Sequence, residues 1–467
     1  MAVKAGPFSH TTITYTSSDA RVIPYGGMLL PGQMLQKIGF DAMVNKDFSK
    51  KKQFSNADIL KSFLFCILIG DPDYASIHFT DANPQYYCNA LHMRSLPSEE
   101  TLRQRMDEIG SSLKETLRQA SVKLFKEYGI VPSALNNGYI PIDIDVSPFI
   151  NEKCFKEGIS KTYKMKDGYA PIFAYIGTEG YLLACELREG KQHCQKGTSD
   201  FLREVIALAR QITDAPLLIR MDSGNDAAEN IGICMEKSLK GDRVHFLIKR
   251  NLRKESAEAW LEHFRSVCTN IKNPREGKTV YIGETFRKVT YQVPDGESEP
   301  RMIDQTEEIR TIYDITERKC DHDGQYYVTP KVECDMYSVS VDLPDEDVIE
   351  LYHKHGEMEQ YHSEIKTDMG AEILPSGKFN TNELVLELIQ LAYNIMRIMG
   401  QTSLQVEDIP IKRPVRRRRL RTVLEHIIMC PGLLITHARQ TKLDLGSSNI
   451  WSQALTFLWE KLNKKAN

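Results

Sequence analysis

Three carboxylates stand at places from which a divalent-metal site could be built. Asp145 ends the alternating run Tyr139–Asp145 (YIPIDID), and Asp222 follows the apolar run Pro216–Met221. A carboxylate at a strand end has its backbone fixed by the sheet and its oxygens aimed past the edge; the plainer role there is to cap a turn. Asp143 sits two residues before Asp145, so on a strand both project to one face, and either could be the first member. Glu359 falls in a long helix expected from Asp345 onward. With Tyr352 at zero and about 100° per residue, His355 lies at about −60°, Glu359 at about −20° and Lys366 at about −40°, one narrow stripe. Glu357 and Glu364 fall at about 140° and about 120°, a side read as solvated, while Leu351, Met358, Ile365 and Met369 gather on the core-facing side.

Cleaving and joining phosphodiesters requires an attacking oxygen, a leaving oxygen and neutralised charge at phosphorus. Two divalent ions roughly 3.5–4 Å apart supply all three. A set of hard carboxylate oxygens without His suits Mg²⁺, with Mn²⁺ able to replace it. The expected catalytic and metal-binding set around two ions is Asp222 and Glu359 with Asp145, Asp143 staying open as the alternative first member.

The elements that must position them follow from the pattern on either side. Ser55 with Asp58 three residues on resembles a capping arrangement, followed by an apolar helix to Ile69. Pro97-Ser98-Glu99-Glu100 opens a second helix, whose stripe runs from Met106 to Leu124 and whose end is expected at Gly129. Beyond Tyr139–Asp145, strands are expected at Ala170–Gly177, Tyr181–Leu187, Pro216–Met221 and Val244–Lys249, with a helix at Thr198–Ile212 and another between the last two strands. Three strands and then alternating helices and strands is the element order of a ribonuclease-H-like core. Short strands at Thr279–Ile282, Lys288–Val293, Glu308–Ile315 and Tyr326–Val332 read as an insertion, after which the core resumes with Met336–Val341 and the Asp345 helix. A second apolar helix is expected at Glu383–Met399 and a last one at Ile450–Leu462. The fold class is thus α/β, in four parts: a mostly helical domain over 1–136, a ribonuclease-H-like core over 137–250 and 335–400, a β-rich insertion over 251–334, and a basic helical C-terminal region over 401–467.

Composition narrows the class. With 467 residues, 41% hydrophobic and 26% charged, the chain is globular and long enough for several structural units. Ten Cys include no Cys-x-x-Cys pair, no apolar leader opens the chain, and the apolar run Phe63–Ile69 is too short to span a membrane. Reduced thiols and a cytoplasmic location are expected, with no membrane partner. The net charge is −3, yet residues 401–467 hold 12 Lys and Arg against 5 Asp and Glu. Seven of these bases fall in Lys412–Arg421, where Arg416, Arg417, Arg418 and Arg419 form a block suited either to a solvated face or to phosphate contact.

The spacing Tyr352-x2-His355-x3-Glu359-x6-Lys366, together with Asp145-Val-Ser147, Arg220-Met-Asp222-Ser-Gly224, Leu187-Arg188-Glu189-Gly190 and Tyr393-Asn394, resembles the DDE transposases of bacterial insertion sequences that carry a Tyr-Arg-Glu-Lys signature. His355 stands where that family usually has Arg. The similarity runs from about Gly26 to Gly432 and is strongest over Tyr139–Asn394. It implies Mg²⁺-dependent cleavage of double-stranded DNA at terminal inverted repeats, cut-and-paste transfer of the freed 3′-hydroxyl into target DNA, and a homodimer in the DNA complex, acting on the bacterial nucleoid. It also implies that Tyr352 and Lys366 hold the strand near the cut, with Tyr352 a stacking platform. His355, with fewer donors than Arg and little charge at pH 7, is then expected to be a weaker phosphate clamp. Two other readings share the carboxylates: a nuclease that cuts without joining, and an inactive derivative that only binds DNA.

Overall fold

The computed structural model describes residues 20–46, 53–295, 301–406, 415–438 and 440–463. After a short strand, β1 (Val22–Ile23), the chain is helical through α1 (Leu29–Lys37), α2 (Phe40–Val44), α3 (Asn56–Leu68), α4 (Pro84–Ala90), α5 (Glu99–Ile109) and α6 (Lys114–Glu127). The capping box at α3 is present: the Asp58 amide donates to Ser55 Oγ, and the Ser55 amide donates back to the Asp58 carboxylate. All but the first residue of α3 are buried, so it is a central helix and not an amphipathic surface one. The single helix expected from Pro97 to Gly129 is two. It breaks at Gly110, where φ is +49°, a conformation glycine adopts at little cost.

The middle of the chain builds one nine-stranded mixed sheet and a small three-stranded one. In chain order come β2 (Ile140–Val146), the small sheet's β3 (Phe149–Ile150), β4 (Ser160–Lys161) and β5 (Asp167–Tyr169), then β6 (Ile172–Ile176), β7 (Tyr181–Glu186), α7 (Thr198–Arg210), β8 (Leu217–Met221), α8 (Ala228–Leu239) and β9 (Val244–Lys249). Strands β2, β8 and β9 are parallel neighbours, and β6 and β7 extend the sheet antiparallel beyond β2. Strands β6 and β8 are buried along their whole length on both faces, as a sheet covered by helices requires.

The segment expected as a β-rich insertion opens with a helix, α9 (Ala257–Arg265), and continues through β10 (Asn270–Arg275), β11 (Lys278–Asp295), β12 (Arg301–Cys320) and β13 (Tyr326–Val339). The expected pairs of short strands merge: Thr279–Ile282 and Lys288–Val293 belong to β11, while Tyr326–Val332 and the first part of Met336–Val341 belong to β13. Gly283, which could have signalled a turn, lies inside β11 because a side chain there would collide with the ring of Tyr313 on β12. Strand β13 pairs with β9 through Tyr337, Ser338 and Val339. The long hairpin is therefore a continuation of the main sheet, and β13 runs straight across residue 334.

Helices α10 (Asp345–His353), α11 (Met358–Ser363) and α12 (Phe379–Ser403) follow, then α13 (Leu420–Val423), β14 (Gly432–His437), β15 (Gln440–Asp444) and α14 (Ser452–Asn463). The C-terminal part is not purely helical: β14 and β15 form a hairpin that takes β1 as its third strand. Helix α12 is buried along most of its length and closes the outer edge of the main sheet. Asn394 Oδ1 accepts from the Leu182 amide at 2.9 Å and its Nδ2 donates to the Leu182 carbonyl at 2.8 Å, while the Tyr393 hydroxyl donates to the Gly180 carbonyl. These contacts pair backbone groups that an edge strand would otherwise leave open, which gives the Tyr393-Asn394 phrase a structural reason. Among the described residues no helix is long and apolar enough to cross a membrane.

Candidate active site

Parallel pairing of β2 with β8 sets Asp143 opposite Arg220 and Ile144 opposite Met221. Continued by one residue, that register sets Asp145 opposite Asp222. Side chains two apart on a strand share a face, so one face carries an opposite-charge pair and then a like-charge pair.

The first pair is closed. Arg220 Nε and Nη2 donate to the two Asp143 oxygens at 2.7 Å each, a bidentate fork, and Nη1 donates to the Leu351 carbonyl at 2.7 Å. His355 Nδ1 lies 2.7 Å from Asp143 Oδ1. Burial alone would raise the Asp143 carboxyl, but the Arg220 charge and the His355 hydrogen bond outweigh it and hold it below the ordinary carboxylate range. Asp143 is thus committed to the scaffold.

The second pair is open. Asp145 is 28% exposed; its Oδ1 accepts from the Val146 amide, and His362 Nε2 stands 3.6 Å from Oδ2. Asp222 accepts from Asn225 Nδ2 at 2.9 Å. Burial, and then the charge of Asp145, push the Asp222 carboxyl up, against weaker relief from His355, Asn225 and the Gly224 amide. A Cβ at Gly224 would lie 3.2–3.3 Å from both Asp222 oxygens, so the glycine of the Asp-Ser-Gly phrase keeps that carboxylate uncrowded.

The segment carrying the third carboxylate is not one regular helix. A 3₁₀ turn at Lys354–Glu357 and a π turn at Glu364–Asp368 flank α11, so a constant 100° step does not carry through it. Tyr352 is half-buried between the Tyr337 ring, at 4.7 Å, and His355, at 5.7 Å. Burial raises its phenol first, and the nearby Asp222 charge raises it further. Lys366 Nζ sits 5.8 Å from the Phe149 ring, and its ammonium is lowered by burial and by the charge of Lys164, with Glu372 and Asp145 opposing. Glu359 is exposed and has no hydrogen-bond or ion-pair partner among the described residues. It lies four residues after His355 and three before His362, both of which face the aspartates. Among the described residues no three His, Cys, Asp or Glu side chains are drawn together into a set that could hold a metal ion.

Several expectations are corrected. Glu364 is not solvated but fully buried; it pairs with Arg397 and with Arg417 Nη1, and accepts from the Leu420 amide at 3.1 Å. The partners come from α12 and from beyond residue 414, which one helix's periodicity does not register. His355 is buried, with its Nδ1 taken up by Asp143 Oδ1. Three of the four arginines of the block are taken up by protein partners. Arg418 is buried and donates to Ser403 Oγ, Arg419 forks onto Asp368, and Arg417 meets Gln360 as well as Glu364. Arg416 and Arg419 are exposed, and of the four only Arg416 has no side-chain partner among the described residues; Lys412 and Arg413 lie outside them.

Two features went unread in the sequence. His362 falls at about −80° by the same helical count, beside the stripe, and could have been found there. Its Nδ1 lies 3.2 Å from the Tyr175 hydroxyl, and burial lowers its imidazole, which favours the neutral ring. The other is the loop at Tyr163–Lys166, between β4 and β5. The Leu187-Arg188-Glu189-Gly190 phrase explains how that loop is held. Arg188 is buried, with Nε on Glu186 and Nη1 on the Cys194 carbonyl and Thr198 Oγ1. A Cβ on Gly190 would lie 2.2 Å from the carbonyl oxygens of both Gly168 and Ser160, so only glycine lets the hairpin dock.

Residues 7–467 match the family described as transposase DDE domain group 1. No curated protein matches the chain. Among solved structures the chain is similar to a piggyBac transposase in a cryo-EM synaptic complex with hairpin DNA, at 10% identity and a TM-score of 0.39, over 94% of this chain and 82% of that one.

Proposed function

The chain belongs to the family of transposases with a group 1 DDE domain, and on that premise we propose that it cuts double-stranded DNA at the ends of its element and joins the freed 3′-hydroxyl to target DNA, using Asp145, Asp222 and Glu359. The observation that carries the assignment is the Asp145–Asp222 rung: two carboxylates brought together, with burial and mutual repulsion raising one of them, and no Lys or Arg ion pair to either among the described residues. Such a pair is strained alone and relieved by a divalent cation. Glu359 is the third member because it is uncommitted and lies between two histidines that face the rung, whereas Asp143 and Glu364 are each closed into buried ion pairs. Mg²⁺ or Mn²⁺ held by these oxygens would lower the pKa of the attacking hydroxyl and neutralise charge on the phosphate.

The chain's own residues supply the rest. The Asp143–Arg220–Leu351 strap and the His355–Asp143 bond fix the helical segment bearing Glu359 against the strands bearing the aspartates. Burial keeps the Tyr175 phenol protonated 3.2 Å from His362 Nδ1; a phenol donating there would leave the proton of that ring on Nε2, which stands 3.6 Å from Asp145 Oδ2. Lys366 contributes positive charge beside Asp145, and Tyr352 packs at the rim. The parallel β2–β8–β9 unit, flanked by antiparallel β6 and β7, supports a ribonuclease-H-like core. Terminal inverted repeats, a cut-and-paste route, two ions per site and a dimer on paired ends complete the reading, as does a Tyr-Arg-Glu-Lys signature in which His355 replaces Arg. The test is cleavage and strand transfer by the full chain on DNA carrying the ends of its own element, with Mg²⁺. Asp145→Asn, Asp222→Asn and Glu359→Gln should each abolish both steps; retained cleavage by Asp222→Asn would sink the assignment.

A further inference from the structure

The ribbon formed by β11 and β12 reaches back to the turn that carries Asp222. From Arg287 on β11 and Ile309 on β12 outward, the two strands pair only with each other among the described residues. A two-stranded ribbon is marginally stable in water, so its place is set by what its face docks on. Arg287, Val289 and Tyr291 alternate onto one face, and Val289 and Tyr291 are buried. A Cβ at Gly232 of α8 would lie 2.6 Å from the Tyr291 ring, so the bare backbone there is what admits the ring. On the same face, Arg287 Nη2 donates to Asp226 Oδ1 at 2.6 Å and Nη1 donates to Oδ2 at 3.3 Å.

Asp226 is buried and stands four residues after Asp222. The turn between them is closed by the Asn225 amide on the Asp222 carbonyl at 3.1 Å and the Asp226 amide on the Ser223 carbonyl at 3.4 Å. Asn225, whose side chain donates to Asp222 Oδ1, accepts at its own carbonyl from Asn230 Nδ2 of α8 at 3.0 Å. The Asp226 carboxylate accepts in addition from the Asn251 amide, just past β9, at 3.0 Å. Helix α8 therefore holds the turn through Asn225, and the insertion holds it through Asp226. Without Arg287, Asp226 is a buried charge with no cation among the described residues, which is costly. Opening the turn toward water relieves that cost, and Asp222 moves with it. Ligating carboxylates depend in this way on the groups that orient them. We propose that Arg287 is a positioning residue for Asp222: its fork onto Asp226 fixes the turn that presents that carboxylate, so the metal-binding pair is complete only while the ribbon is docked on α8. The inference rests on the reading of Asp222 as a metal-binding carboxylate.

The experiment uses the full chain. Amide exchange is followed at the peptide covering Ser223–Asp226, in chelator and without DNA, and the Mg²⁺ half-saturation of cleavage is measured on DNA carrying the element's ends. Arg287→Ala should speed exchange of that peptide about ten-fold while β7 keeps its wild-type protection. It should raise the half-saturating Mg²⁺ roughly 10–100-fold and leave most of the maximal rate. A residue that served stability alone would lower the thermal midpoint without moving the Mg²⁺ dependence, and that result would overturn the proposal. Arg287→Lys, which keeps the charge and loses the fork, should fold normally and fall between Arg287→Ala and the wild type. Arg287→Ala should add little to Asp226→Asn, because both changes cut the same ion pair. Wild-type exchange and Mg²⁺ dependence in either Arg287 variant would overturn the proposal, as would fully additive effects. Cleavage by Asp222→Asn in Mg²⁺ would instead overturn the catalytic reading beneath it and leave the exchange result as it is, so the two failures are distinguishable.

Discussion

Replacing Asp143 by Ala tests whether the closed rung positions the open one. The change removes the counter-ion of Arg220, which is 3% exposed, and leaves His355 Nδ1 without its acceptor. Stripping one partner from a buried ion pair costs about 3–5 kcal/mol. At about 2.1 cal/mol/K per residue, unfolding a chain of 467 residues gains roughly 1 kcal/mol/K, so the thermal midpoint should fall by about 3–5 °C. The double variant Asp143→Leu with Arg220→Met puts an apolar pair in place of the ions and should recover most of that loss. It does not restore the donor to the Leu351 carbonyl. The segment bearing Glu359 is then no longer strapped to β8, and cleavage should stay about 100-fold down, the scale of a misplacement near 1 Å. Thermal melts and single-turnover cleavage on end DNA read the two effects separately. A double variant that cleaves at the wild-type rate would refute the strap; so would an Asp143→Ala protein that melts like the wild type.

Two further outcomes follow from the same geometry. An acid whose folded pKa is raised binds more protons folded than unfolded, so its stabilising contribution is lost as pH climbs from the unfolded value, about 3.9, through the folded one. Asp222 is such an acid, so Asp222→Asn should melt higher than the wild type at pH 7 without divalent ions, with the gap closing at low pH; a lower midpoint at pH 7 would mean that the rung is not strained. Gly190→Ala should undock the β4–β5 hairpin, costing about 1–3 kcal/mol as overpacking does and exposing residues near Tyr163 to limited proteolysis, whereas an unchanged digestion pattern would rule out the docking argument.

The strands of the central sheet were legible because apolar alternation and turn residues are local signals: β2, β8 and β9 begin and end within a residue or so of expectation. Asp143 and Asp145 could not be separated locally, since both lie on one face of one strand. The deciding partner, Arg220, lies on another strand, yet the paired phrases Asp143-x-Asp145 and Arg220-x-Asp222 contain the register once the strands are known to be parallel neighbours. Glu364 was misjudged for a related reason. A helical wheel assumes constant pitch and knows nothing of elements that arrive later in the chain. The arginine block looked like a polyanion-binding tail because composition records charge and not the buried carboxylates, Glu364 and Asp368, that await it.

Glu364 has a consequence for the order in which the molecule is made. Its carboxylate has no solvent contact and draws one guanidinium from α12 and a second from Arg417, more than fifty residues downstream. Until that downstream stretch is synthesised and folds back, the turn just after Glu359 carries a buried charge that is only half satisfied. The helical segment bearing Glu359 therefore reaches its final shape late, when nearly the whole chain is present. A partial copy of this protein, whether a nascent chain or a degraded one, would hold the proposed metal-binding carboxylates in an unfinished frame.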